Sequence, residues 1–187
     1  NYKFVYRNLF ITIRDRETTC VKPYQVDLDL PHGLALDVIP LDYYPKKKSD
    51  RKKQVIWALI YSLFCAQTVP EKHGGIMSLG SGVIRGKKLR YKIWKKAEKE
   101  MTKYTKEDSD GITELCSGPF YMKKKYPIEA FESNIMVPFE DTKMPIPVGY
   151  DAYLKTAFCV YMTPPPIEKQ VAHHDALLLD LDRSYRE

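Results

Sequence analysis

Cysteine is scarce and scattered in this chain. There are four in 187 residues, Cys20, Cys65, Cys116 and Cys159, and none forms a Cys-x-x-Cys pair. That spacing argues against a structural zinc site and against a dense disulfide framework, and reduced thiols are the simplest account. Long apolar runs are missing too: the longest candidate, Val55 to Ala66, falls short of the roughly 18 to 20 residues needed to cross a bilayer. There is no internal repeat and no low-complexity tract. Zinc-finger spacing, an aromatic RNA-recognition motif and a helix-turn-helix pattern are all lacking, so no specific nucleic-acid partner is expected. Gly80-Ser81-Gly82 is not continued by Gly-Lys-Ser/Thr, which excludes a P-loop.

What is present is an ordinary globular composition with an excess of positive charge, 30 Lys and Arg against 24 Asp and Glu, for a net +6. The length suits one well-cored domain over residues 1–187. The basic residues cluster at Lys46 to Lys48 with Arg51 to Lys53, at Arg85 to Arg90, at Lys92 to Lys99 and at Lys123 to Lys125. Such clusters suit phosphate-bearing partners: a nucleotide, an anionic polymer or an anionic membrane surface. The plainer account of the Lys92–Lys99 run is the solvated face of a helix.

Periodicity predicts an α+β chain. Phe4-Val5-Tyr6, Leu9 to Ile13 and Gly33 to Ile39 read as strands, with Cys20-Val21 pairing against the second. Apolar residues at Val55, Ile56, Leu59, Ile60, Leu63 and Phe64 predict a helix from Ser49 or Asp50 to about Thr68, closed by Pro70. A loop with five glycines, Glu71 to Lys88, precedes a second helix to Tyr104, marked by Leu89, Ile93, Trp94, Ala97 and Met101. Val137 to Val148 alternates around three prolines, predicting edge strands or a hairpin that shapes a pocket. Tyr150 to Tyr161 follows as a short helix, and Leu177 to Leu181 as a terminal strand or helix. Cys65 and Cys159 fall in helical apolar patterns as small core residues.

The most informative stretch is Pro31-His32-Gly33-Leu34-Ala35-Leu36-Asp37-Val38-Ile39-Pro40-Leu41-Asp42. Leu, Ala, Val and Ile around one carboxylate read as a buried strand carrying Asp37, and a buried charge needs a metal ion or a basic partner. Pro40 cannot donate to a ladder and marks the strand's end, with Asp42 just beyond it.

Gly33 to Asp42 resembles the Gly-x-x-x-Asp-x-x-Pro-Leu-Asp signature of the LicD family. Further pieces of the same pattern follow in order: Val137-Pro138-Phe139-Glu140, Pro145 to Asp151 with Tyr153-Leu154, Tyr161-Met162-Thr163-Pro164-Pro165, and His173-His174. Upstream, Ile13-Arg14-Asp15 with Thr18-Thr19 fits as well. The resemblance implies a nucleotidyltransferase-like α+β fold, a small mixed sheet with flanking helices. It also implies transfer of phosphocholine or a similar phospho-group from a nucleotide-linked donor such as CDP-choline onto a cell-surface glycan or teichoic-acid-like acceptor. Mg²⁺ or Mn²⁺ is the implied cofactor, and the cytoplasm is the expected location, with the membrane face open to a peripheral protein. Members of the family carry an Asp-x-Asp-x-Asp segment ahead of the acidic strand, and this sequence holds none there. The expectation is that the N-terminal part of the pattern lies before Asn1; loss of catalysis is the alternative.

The resemblance places a metal-facing acidic residue at Asp37. As a residue, Asp37 is catalytic and metal-binding, or a buried Asp paired to Arg14 or a Lys. Asp42 is catalytic or caps a turn. Arg14, Arg85 and Lys87 are candidates for donor phosphate, with solvated surface positions as the other account of the last two. His173 and His174 are candidates for substrate binding, metal ligation, proton transfer or loop anchoring. Asp27-Leu28-Asp29 and Asp180-Leu181-Asp182 read as loop carboxylates. Tyr150, Tyr153 and Tyr161 read as core or pocket wall, and their rings could also stack a base or a choline-type cation. The rival to the transferase is a non-catalytic basic module that docks an anionic glycan or a partner protein.

Overall fold

The computed structural model describes residues 9–27, 29–65, 86–170 and 175–186. The expected strand at Phe4-Val5-Tyr6, the extension of the first helix past Cys65, the glycine-rich loop up to Arg85, and His173-His174 lie outside those residues. The chain divides into two compact units, one built from Asn1–Leu9 with Ile39–Tyr161, the other from Phe10–Val38 with Met162–Glu187. The architecture is α+β, with three helices among the described residues. In place of the expected small mixed sheet, the strands among the described residues form four two-stranded antiparallel ladders.

In the larger unit, helix α1 spans Lys48–Cys65 and helix α2 spans Lys87–Met101. Both fall where the apolar periodicity places them, but α1 is rotated from the face its Ile and Leu residues suggest. Its buried stripe is Arg51, Gln54, Ala58, Tyr61, Phe64 and Cys65, while Ile56 and Leu59 are exposed. The spacing of three and four residues is kept, and the core is bought with one small, three aromatic or sulfur-bearing and two polar side chains. Against that stripe α2 sets Trp94, Ala97 and Met101, all buried. Tyr61 stacks on Trp94 at 5.5 Å between ring centres, and the Trp94 Nε1–H donates to Cys65 Sγ at 3.1 Å. Large side chains buried this fully contribute about 1.5–3 kcal/mol each. The lysines of α2, Lys88, Lys92, Lys95, Lys96 and Lys99, point to solvent, as the plainer reading of that run expects.

Strand β4, Asp42–Pro45, follows Pro40 and pairs antiparallel with β5, Ser109–Thr113, placing Asp42 opposite Thr113 and Tyr43 opposite Ile112. Ile112 also exchanges both backbone bonds with Tyr126, at 3.0 and 2.8 Å. The hairpin expected around Val137 to Val148 is formed by β6, Asn134–Phe139, and β7, Thr142–Pro147. Its tight turn puts Glu140 at φ 51. Helix α3, Tyr150–Phe158, starts at Gly149, which lies so close to Ala130 that a Cβ there would sit 2.4 Å from the Ala130 Cα. The helix ends earlier than expected, because Cys159 turns to φ 60 with its amide on the Lys155 carbonyl; that cysteine is exposed, not in the core.

The smaller unit holds β1, Ile11–Arg14, paired with β3, Ala35–Val38, and β2, Thr19–Val21, paired with β8, Leu178–Asp180. Cys20 therefore pairs with Leu179 and not with the Leu9–Ile13 segment that holds β1, and the terminal segment Leu177 to Leu181 resolves as a strand. The segments Ile13-Arg14-Asp15, Thr18 and Gly33-Leu34 are locked together. Asp15 N–H donates to Leu34 O at 2.9 Å, Leu34 N–H donates to Thr18 Oγ1 at 3.0 Å, and Arg14 Nη1 donates to Gly33 O at 3.4 Å. A Cβ on Gly33 would fall 1.6 Å from the Asp15 carbonyl oxygen, so only glycine fits there. Gly33→Ala is expected to part this contact at a cost of about 1–3 kcal/mol, towards the upper end because the obstacle is backbone. Amide hydrogen exchange should speed up across Ile11–Arg14 and Ala35–Val38; unchanged protection there would reject the close approach.

Candidate functional site

Alternation along β4 and β5 gives the pair two chemically different faces. Tyr43 and Ile112 belong to one, packing with Tyr126, Tyr153, Phe131 and Ala157. Asp42 and Thr113 belong to the other, where Arg51 of α1 reaches Thr113. The Arg51 guanidinium donates to Thr113 Oγ1 at 3.3 Å, to Gln54 Oε1 and to the Met122 carbonyl, and stands 4.1 Å from the centre of the Tyr44 ring. Burial holds its pKa below the ordinary guanidinium value.

Asp42 is the first residue of β4 and not a turn cap. Its Oδ2 is buried with no hydrogen-bond partner. Burial pushes its carboxyl up to about 6, against the pull of the neighbouring Arg51 charge in the other direction. The Cys116 thiol is pushed up to about 12, first by burial and then by the charge of Asp42. A half-buried carboxyl raised to about 6 within the field of a buried cation is the kind of group found at functional sites.

On the opposite face, at the end of β5, Glu114 is 4% exposed. Its Oε1 accepts a hydrogen bond from the Tyr153 hydroxyl at 2.9 Å. The Tyr153 phenol is pushed up to about 12, by burial first and by this bond to Glu114 second, and burial raises Tyr126 as well. Tyr126 and Tyr153 lie 4.8 Å apart, and Phe131 meets Tyr153 edge-on at 5.5 Å. Beside them a cavity of about 430 Å³ opens, walled by Leu41, Phe131, Ile146, Tyr150 and Tyr153 around Glu114. Tyr150 and Tyr153 are thus pocket wall, and the β6–β7 hairpin shapes that pocket through Ile146 and Pro147. Tyr161 lies past the end of α3, where its hydroxyl donates to Asp151 at 2.9 Å.

The residues singled out from the sequence are divided between the two units. Asp42 is in the larger one, while Asp37 and Arg14 are in the smaller. Asp37 is not buried: every residue of β3 is exposed, and its Oδ1 accepts a hydrogen bond from Thr12 at 2.9 Å. Apolar strand composition signals burial only when both faces are covered; among the described residues β3 pairs only with β1, and Leu36 is 66% exposed. The β1–β3 register sets Thr12 opposite Asp37 and Arg14 opposite Ala35, so Arg14 and Asp37 are diagonal neighbours on one face. Lys87 opens α2, and Arg85, His173 and His174 lie outside the described residues. Asp180 is the last residue of β8, opposite Thr19, and not a loop carboxylate; its Oδ1 accepts from the Asp182 amide at 3.0 Å where the strand ends.

Glu114, Arg51 and Thr113 were not singled out beforehand. The signal for Glu114 was present, since it interrupts Ile112-Thr113-Glu114-Leu115-Cys116 just as Asp37 interrupts its own apolar run. Among the described residues no three His, Cys, Asp or Glu side chains gather as a metal site. The orphaned oxygen of Asp42 is a fitting donor, but that single carboxylate falls short of the six oxygens a hard divalent cation takes. No protein-family model, curated protein or solved structure matches this chain.

The raised Asp42 pKa carries a sign. The native state holds the proton more tightly than the unfolded chain, so this term stabilises at low pH and is lost as pH rises from about 4 through 6. Asp42→Asn, which does not titrate, should be more stable than the native chain by about 1–3 kcal/mol at pH 7.5 and should lose most of that advantage at pH 4.5. Thermal unfolding followed by tryptophan fluorescence reads the larger unit, where both Trp57 and Trp94 sit. A difference that is the same at both pH values would mean that Asp42 titrates as it would in water.

Proposed function

We propose that this chain is a LicD-like phosphotransferase with a nucleotidyltransferase-like fold. It moves phosphocholine or a similar phospho-group from a nucleotide-activated donor onto a glycan or teichoic-acid-like precursor. The observation that carries the reading is Asp42, the last residue of the Gly33–Asp42 signature. It is held half-buried on β4 with one oxygen unpartnered and a pKa near 6. Its neighbour Leu41, from the same signature, lines the 430 Å³ cavity. A carboxylate kept in a place that costs stability at neutral pH is accounted for by function better than by folding.

In this reading Asp42 and Asp37 are the acidic groups of the reaction, and Arg14 is available to a phosphate of the donor. Dependence on Mg²⁺ or Mn²⁺ belongs to the same proposal and rests on the resemblance. The reaction would run in the cytoplasm, where nucleotide-linked donors are made. The rival reading is a basic docking module, favoured by the row of exposed lysines along α2.

The test is release of nucleoside monophosphate from CDP-choline in the presence of a glycan acceptor, using the intact natural protein. Release should require Mg²⁺ or Mn²⁺ and stop with a chelator. Asp37→Ala and Asp42→Ala should each lower turnover at least ~100-fold, the scale of losing one preorganised electrostatic contact in a transition state. Asp37 is exposed, so its substitution should leave thermal stability within about 0.5 kcal/mol and isolate the effect on turnover. Native turnover in a folded Asp37→Ala and Asp42→Ala pair rejects the catalytic assignment. Retention on an anionic glycan, with no release from any donor, selects the docking module.

A further inference from the structure

Phe120 and Phe158 are far apart in sequence and are joined in space by one ring. Tyr121 meets Phe120 edge-on at 5.3 Å and Phe158 at 6.2 Å. Both phenylalanines are open to solvent, Phe120 at 62% and Phe158 at 52%, and Val160, just past the end of α3, is 72% exposed. A connected patch of exposed rings on a folded unit marks a surface that meets something. Its rim is basic. Lys124 Nζ stands 4.5 Å from the centre of the Phe120 ring, and Lys123 beside it is exposed. Among the described residues neither lysine has a carboxylate within salt-bridge distance, whereas Lys125 is taken by Asp110 and Lys155 by Asp151, each at 2.7 Å. Lys123 also shares a cleft with Lys52 and Ile56, both exposed, so the basic and apolar surface continues onto α1.

The make-up of the patch selects the partner. A small anion would satisfy the lysines and leave the phenylalanines in water. A protein partner fits poorly, because the centres of protein interfaces are depleted in lysine and the unpaired cations here are lysines. A bilayer surface bearing anionic lipid meets both demands at once. Rings enter the boundary between headgroups and acyl chains, while flexible ammonium groups stay level with the lipid phosphates. Lys124 already lies along the ring that would enter, with its charge at the far end of an apolar stem. We infer that the face built by Phe120, Phe158 and Val160, with Lys52, Lys123 and Lys124 around it, docks the protein reversibly on an anionic membrane. This goes beyond the transferase reading and does not rest on it.

Co-sedimentation of the intact protein with vesicles tests this face without any donor or acceptor. Vesicles of phosphatidylcholine and phosphatidylglycerol at three to one should capture the protein, and vesicles of phosphatidylcholine alone should hold it at least tenfold more weakly. Capture should fall as salt screens the lysines. Lys123→Gln and Lys124→Gln should each weaken it about fivefold, the fold-change equivalent to ~1 kcal/mol for one lysine near an anionic surface. Phe120→Ser with Phe158→Ser should weaken it at least tenfold. Lys92→Gln with Lys99→Gln, which removes the same charge from α2, should change it by no more than about twofold. Rings and lysines are altered in separate variants, so misfolding of one leaves the other to decide, and circular dichroism identifies which is folded. Equal capture by both vesicle types, capture by neither, native capture in the folded double ring variant, or an equal loss in the α2 variant each overturns the inference. So does a dimer, seen by equilibrium sedimentation without vesicles, that the double ring variant dissociates, because a second copy would then cover the face. Capture with no nucleotide release sustains the membrane face and removes the transferase reading; nucleotide release with no capture does the reverse.

Discussion

Much of the larger unit is organised by one buried guanidinium. Arg51 leaves α1 and reaches the Thr113 hydroxyl on β5, the Met122 carbonyl and the Tyr44 ring on β4. Gln54, one turn along the same helix and fully buried, accepts from Arg51 and donates to Tyr43 O at 2.9 Å and Met101 O at 3.0 Å. Two polar side chains thus tie α1 to both strands of a ladder and to the end of α2. Each donor that is satisfied here would be expensive to leave unmade, which gives the helix pair a single register against the strands. Apolar packing alone, through Ala58, Tyr61, Phe64 and Trp94, would tolerate several.

Arg51 also sets the electrostatics of Asp42. A lone carboxylate at that depth would be driven far above its ordinary value. The nearby cation pulls it back, and the result is a group poised near 6. The two faces of one short ladder then carry two separate carboxylates. Asp42 lies beneath α1 with a cation near it, and Glu114 lies beneath α3 with aromatic rings around it. Because side chains alternate along a strand, four residues suffice to present both environments. The placement of α3 depends in turn on Gly149, whose missing side chain lets the helix start against Ala130 and so brings Tyr153 to Phe131.

The smaller unit shows how separated pieces of a sequence pattern become one object. Arg14, Asp15, Thr18, Gly33 and Leu34 are joined by short backbone and side-chain bonds, with Gly33 seated directly on the Asp15 carbonyl. The glycine of the Gly33–Asp42 signature is therefore explained by close approach of backbone, without appeal to chemistry.

Local features were legible in the residues themselves. The helices, the hairpin around its prolines, the break at Pro40 and the solvated lysines of α2 all follow from periodicity and backbone chemistry, which act over a few residues. The chain's own pattern also marked Asp37 and Asp42, because a charge inside an apolar run is visible without coordinates. Burial was not legible, since it depends on which faces are covered by segments distant in sequence. Leu36 and Val38 look like core and are exposed, whereas Arg51, Gln54 and Glu114 look like surface and are buried. Tertiary structure alone decided that Cys20 pairs with Leu179 and that the Arg51 charge acts on Asp42. It also decided that Glu114 faces the rings of α3, because each of these contacts joins residues whose meeting no local propensity specifies.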